Sequence, residues 1–165
     1  MVDIQTVSIV IASVGVFVAA VYYVLQIRHQ TRMRQTDVFW RIYSSFNSKE
    51  FIEAWTKIFN LEFEDYNDFV KKYSLPFSGK PVSVAMNMVG NLFEGAGFLL
   101  YRRLIDFELA CEVLPVSMTW EKIKAIVEGS RQQYNMPKFY EWFEYLYNEM
   151  KKREKQLQQK GVKNG

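Results

Sequence analysis

Histidine and cysteine are almost missing from this 165-residue chain: one of each, His29 and Cys111. His29 stands beside an apolar stretch, far from any nucleophile in the body of the chain. A Ser-His or Cys-His catalytic pair inside a folded domain is therefore excluded. Zinc sites built from Cys and His fall with it, as does a helical-bundle di-iron site, which needs Glu-x-x-His pairs. No metal and no cofactor is expected. A lone cysteine cannot form an intramolecular disulfide, which agrees with a reducing compartment. Cys111 reads as a small core residue rather than a reactive thiol. Proline occurs four times (Pro76, Pro81, Pro115, Pro137), always at helix boundaries or in loops. Glycine-rich phosphate loops of the two common types are absent. Sustained period-two alternation is absent too, so strands are not expected.

Charge is missing where it matters most. Residues 7–27, VSIVIASVGVFVAAVYYVLQI, hold no ionised side chain over 21 positions. At ~1.5 Å per residue a helix of this length measures about 31 Å, against ~30 Å for the hydrocarbon core of a bilayer. The stretch reads as a transmembrane helix. A secretory signal would want a positive n-region, but only Asp3 precedes it; the positive charges come after it. A buried core helix would be unusually long for 21 uncharged residues.

Charges on the C-terminal side of the stretch give it a direction. Arg28, Arg32 and Arg34 come before the first acid, Asp37. Short basic flanks remain cytoplasmic, so residues 1–6 are expected outside and the rest of the chain inside the cell membrane. Tyr22 and Tyr23 suit the headgroup level at the basic end. Ser8, Ala12, Gly15 and Ala19 form a stripe of small residues that would let a second copy or another membrane helix approach closely.

Beyond a basic juxtamembrane stalk at 28–36, residues 37–150 are acidic in balance, with 12 basic and 16 acidic groups. Residues 151–165 form a basic tail, with six basic groups and one acid. An acidic body with basic ends has no broad face to neutralise phosphates, so no nucleic acid is expected as partner. The bilayer is: each Lys or Arg near anionic lipid adds about 1 kcal/mol.

The body reads as six helices in one compact bundle, making the fold all-α. Ser48 caps a helix with Phe51, Ile52, Trp55, Ile58 and Phe59 along its buried face. Asp65 and Asp68 open a short helix bearing Tyr66, Phe69, Val70 and Tyr73. The acids Glu62, Glu64, Asp65 and Asp68 lack calcium-loop spacing and read as helix-dipole partners. Pro81 opens the central helix, about 82–104, whose apolar face includes Ala85, Met88, Val89, Leu92, Phe93, Ala96 and Leu100. Gly90, Gly95 and Gly97 inside it each cost up to about 1 kcal/mol, which close packing of another helix would explain. Asp106 caps a short helix that Pro115 ends. The sixth helix carries Trp120, Ile123 and Val127 inward. The seventh starts at Asn135, with Pro137 in its first turn, and frays after about Glu154.

Asn87, Asn91 and Glu94 share one side of the central helix. If buried, each needs a partner, and Glu94 would have a raised pKa. They are the candidate binding cluster, with Glu94 the one candidate acid/base.

The segment NMVGNLFEGAGFLLYRRLID, with Asn87, Asn91, Phe93, Glu94, Gly97 and Asp106, resembles a widespread microbial family of uncharacterised proteins. SSFNSKEFIEAW and YEWFEYL are similar too, and the resemblance spans about residues 30–150. It implies one N-terminal spanning helix followed by a cytosolic helical domain of unknown function; it brings no catalytic residue and no ligand, and leaves activity open. The family often has glycine where Arg103 stands, which implies a differently built turn here. The expectation is a membrane-anchored interaction or regulatory module that binds a protein partner at the inner membrane face. The alternatives are an accessory subunit held by its membrane helix, through self-association or another helix, and an enzyme using Glu94.

Overall fold

In a computed structural model that describes residues 3–163, the chain is helical throughout, and no strand occurs among the described residues. Met1 and Val2 of the expected external segment, and Asn164 and Gly165 of the tail, lie outside them. Seven helices succeed one another: α1 (Ile4–Phe46), α2 (Lys49–Phe59), α3 (Tyr66–Tyr73), α4 (Pro81–Tyr101), α5 (Phe107–Val113), α6 (Val116–Gln133) and α7 (Glu141–Lys163). The chain divides into two units, Met1–Asp37 and Val38–Gly165.

In the first unit the apolar stretch and the basic stalk belong to one unbroken helix, α1. Its apolar side chains are exposed, Val16 at 72% and Phe17 at 69%. The hydroxyls of Ser8 and Ser13 donate to the carbonyls of Ile4 and Ile9, at 3.0 and 2.8 Å. Such back-bonds keep polar groups satisfied without water.

The second unit is built around α4. Phe93 of α4 stacks on Phe143 of α7, ring centroids 4.5 Å apart, and Trp120 of α6 meets Phe143 edge-on at 5.0 Å. Phe46 closes the cluster against Phe93 at 5.2 Å. All three large central rings, Phe93, Trp120 and Phe143, are buried. Aromatic pairs in offset or edge geometry each add roughly 0.5–1.5 kcal/mol beyond their buried area.

Local chemistry sets the helix starts. The Ser48 hydroxyl accepts from the Phe51 amide at 3.2 Å, Asp65 from Asp68 at 2.8 Å, and Asp106 from Leu109 at 3.1 Å. Pro81 stands at the first turn of α4. Lys72 donates to Asp68 and so does the Glu64 amide, and the two together hold its carboxyl below the usual range.

The packing of α4 on α7 accounts for two of its three glycines. A Cβ at Gly97 would collide with the Trp142 carbonyl, and one at Gly90 with the Tyr140 ring. Gly95 faces open space, so close packing does not explain it.

Several expectations need correction. Ile52 is 49% exposed and Met88 41%. Both sit at the edge of a helical stripe, where periodicity cannot say how far the neighbouring helix reaches. The central helix stops at Tyr101, and Arg103 takes φ +57° beyond it. The Arg103 amide donates to Leu100 and the Leu104 amide to Leu99, at 2.8 and 2.9 Å. That is a Schellman close with arginine at the left-handed position, so the turn is the one glycine would make.

The seventh helix does not begin at Asn135. Asn135 instead closes α6 in the same way, at φ +51°, with Met136 donating to Arg131 at 3.0 Å. Tyr140 turns left-handed again at φ +55°, and α7 starts at Glu141. Nor does the helix end near Glu154: it runs to Lys163. Arg153 pairs with Glu108 of α5, and Lys151 and Lys152 pair with Glu154 and Glu149, which supports the basic end in helical form.

Candidate functional site

The three polar residues of α4 do not meet in one network. Asn87 is half-buried and reaches the Pro76 carbonyl at 3.5 Å. Ser83, one turn earlier, donates to that same carbonyl. This end of the row ties the 74–80 loop to α4. Asn91 is exposed.

Glu94 does something different. No Ser, Thr, Asp or Asn precedes α7, because Tyr140 occupies the cap position. The Glu94 carboxylate supplies the cap from the neighbouring helix: it accepts the Phe143 amide at 2.8 Å and bonds the Trp142 amide as well. A helix N-terminus exposes such orphan amides together with the positive end of its dipole, so a carboxylate suits it. Burial nonetheless pushes the Glu94 carboxyl up from its ordinary value; the two amides and, weakly, Arg131 pull it down, while Glu141 adds to the rise.

Arg131 and Tyr140 complete the surroundings, and no sequence motif marks either. Arg131 donates Nε to the Phe139 carbonyl at 2.9 Å and pairs with Glu144 at 2.7 Å, strapping α6 to the start of α7. The Tyr140 ring lies on Gly90, and its buried hydroxyl has no hydrogen-bond partner. Burial and the nearby Glu94 charge both hold that phenol well above its usual pKa. The one signal in the sequence was Gly90, a glycine mid-helix with a tyrosine to receive. A shallow groove of about 490 Å³ opens beside the cap, lined by Asn91, Glu94, Met136, Phe139 and Tyr140. The carboxylate is thus committed to backbone amides at the groove's edge.

Two other surfaces stand out. A groove of about 630 Å³ is lined by Ile52, Leu61, Tyr73 and Val82 together with the charged Glu53 and Lys57. A smaller cavity of about 250 Å³ lies between Cys111, Val116, Met118, Met150 and Leu157. Burial raises the Cys111 thiol to about 11, so it stays protonated at neutral pH.

The residues expected at the membrane from the sequence are carried by α1. Ser8, Ala12, Gly15 and Ala19 are exposed, and a Cβ at Gly15 would meet open space. Arg28, Arg32 and Arg34 are exposed as well. Among the described residues, this is the one helix long and apolar enough to cross a membrane.

No curated protein and no solved structure matches the sequence. A family model, described as a domain of unknown function (DUF4760), matches residues 9–150, which takes in most of the apolar stretch and the whole acidic body. The chain therefore belongs to the DUF4760 family.

Proposed function

We propose that this protein is a single-pass membrane-anchored helical interaction module. The observation that carries the reading is α1: an uncharged apolar stretch whose side chains find no protein to bury them. At about 25 cal/mol per Å² of apolar surface, leaving that many Val, Ile, Leu and Phe side chains in water is prohibitive, and lipid removes the cost. Arg28, Arg32 and Arg34, all after the stretch, favour an outside N-terminus and a cytoplasmic domain.

The domain's part is to bind a protein partner at that membrane face. The groove around Ile52 suits this: apolar Ile52, Leu61, Tyr73 and Val82 beside the charged Glu53 and Lys57 have the mixed make-up of an interface. Anchoring raises the effective concentration of the domain for any partner in the same membrane. A photo-crosslinker in place of Glu53, in intact cells, tests this. One discrete adduct, lost when Ile52→Glu is added, is expected; adducts unchanged by that substitution would remove the groove from the account. Fusion reporters at the two termini test the direction, with a cytoplasmic reporter active only at the C-terminal end.

A further inference from the structure

Four aromatic rings gather on the surface where α4 ends beside α7. Phe98 meets Trp142 edge-on at 5.8 Å, Tyr101 lies on Trp142 at 4.5 Å, and Tyr145 meets Tyr101 at 5.8 Å. A folded core would bury such a cluster. Here Phe98 is 43% exposed, Tyr101 52% and Leu104 of the following turn 47%. Trp142 and Tyr145 are half-buried beneath them. Exposed apolar groups this close together mark a surface that something covers.

On the α4 side of the cluster the charges are of one sign. From Gly95 to Ile105 the only ionised side chains are Arg102 and Arg103, both exposed. The nearest acids in sequence are Glu94, which caps α7, and Asp106, which accepts the Leu109 amide at 3.1 Å. On the α7 side the acids Glu141 and Glu144 flank Trp142 and Tyr145, and Glu144 is paired with Arg131 at 2.7 Å. The two arginines complement the negative end of the α4 dipole. That explains their charge and leaves the rings and Leu104 unexplained. Tyr and Trp bodies with polar tips, an aliphatic side chain and arginine are the groups that settle at a bilayer's headgroup level.

We infer that the Phe98–Tyr101–Leu104 tip, with Arg102 beside it, is a second membrane contact that docks the domain onto anionic lipid headgroups. The inference rests on the membrane-anchored function proposed for the chain, since the tether is what keeps the tip at high local concentration near lipid. Rings and Leu104 enter the headgroup zone, and arginine meets phosphate. At about 1 kcal/mol per cation, loss of Arg102 lowers the ratio of docked to undocked domain about fivefold.

The test uses the full chain with Cys111→Ser and Leu104→Cys, labelled with a polarity-sensitive fluorophore. It is reconstituted into vesicles of phosphatidylcholine alone or with added phosphatidylglycerol. Flotation is scored first: a chain that floats with neither vesicle refutes the anchor itself. With the chain floating in both, the expected result is a blue shift of the label in anionic vesicles, reversed by added salt and by Arg102→Gln. A label at Glu53 stays aqueous in both. Emission from the Leu104 site that is the same in both vesicles overturns the inference. So does a shift that tracks protein density instead of anionic lipid, which would assign the face to a second copy. A label at Phe98→Cys repeats the measurement should the Leu104 variant fold poorly by circular dichroism.

Discussion

At the scale of single residues, Glu94 shows how a polar side chain can look like chemistry and serve structure. Its carboxylate accepts the Phe143 and Trp142 amides, standing in for a cap that Tyr140 cannot provide. Glu94→Ala leaves those amides without their acceptor, and a loss of about 1–2 kcal/mol in chemical denaturation is expected, the range for removing a cap. Glu94→Gln keeps an oxygen there and should lose less. The pH dependence comes from the upward shift of the Glu94 carboxyl. Between its unfolded value and its higher folded value, the folded protein binds more protons than the unfolded one. This group's contribution to stability therefore falls as pH rises through that window. The difference in stability between wild type and Glu94→Gln should show that slope above the ordinary glutamate range. Arg103, held at φ +57°, offers the opposite test. Arg103→Gly removes a left-handed strain of roughly 1–2 kcal/mol and gives back part of that gain as chain entropy, so a small net gain in stability is expected. The sequence showed Asn87, Asn91 and Glu94 on one side of a helix. It could not show that Asn87 serves the 74–80 loop, that Asn91 faces solvent and that Glu94 serves α7, because those partners come from distant parts of the chain.

At the scale of elements, most helix starts were legible and one was not. Ser48, Asp65 and Asp106 announce themselves because each caps its own helix within three residues. α7 is capped from α4, across the fold, so no local signal marks Glu141 and Pro137 misleads. Glycines divide in the same way. Gly97 touches the α7 backbone, while Gly95 touches nothing. Gly97→Ala should force α4 and α7 apart and cost more than the 1–3 kcal/mol typical of overpacking. Gly95→Ala should stabilise by up to about 1 kcal/mol, the helix-propensity difference. Thermal melts of the two variants separate these outcomes. On α1, the small-residue face is open along its length. If it holds a second helix, light scattering in detergent should find an oligomer that Gly15→Leu with Ala19→Leu abolishes; an unchanged mass assigns the face to lipid.

At the scale of the whole molecule, two kinds of helix share one chain. In the second unit apolar side chains converge on Phe93, Trp120 and Phe143 and leave water. In the first, α1 carries apolar side chains around its whole circumference and buries none of them in its uncharged stretch. Composition alone made this division readable, because it rests on charge and length and not on tertiary contacts. The all-α class was readable for the same reason: helical periodicity repeats in every stretch between prolines and caps. The exposed apolar surfaces were not readable. Ile52 falls on the apolar stripe of α2 and is nonetheless exposed, and nothing in the sequence marks Phe98, Tyr101 and Trp142 as one cluster.

The central claim is that α1 lies in lipid, and extraction of membranes at alkaline pH tests it most directly. The full chain should remain in the membrane pellet after alkaline carbonate and enter solution only with detergent. Replacing Val14 and Val18 with Arg should release it, since each charge at the middle of the span costs about 2.5–3.5 kcal/mol. A wild-type chain recovered in the carbonate supernatant would contradict the account.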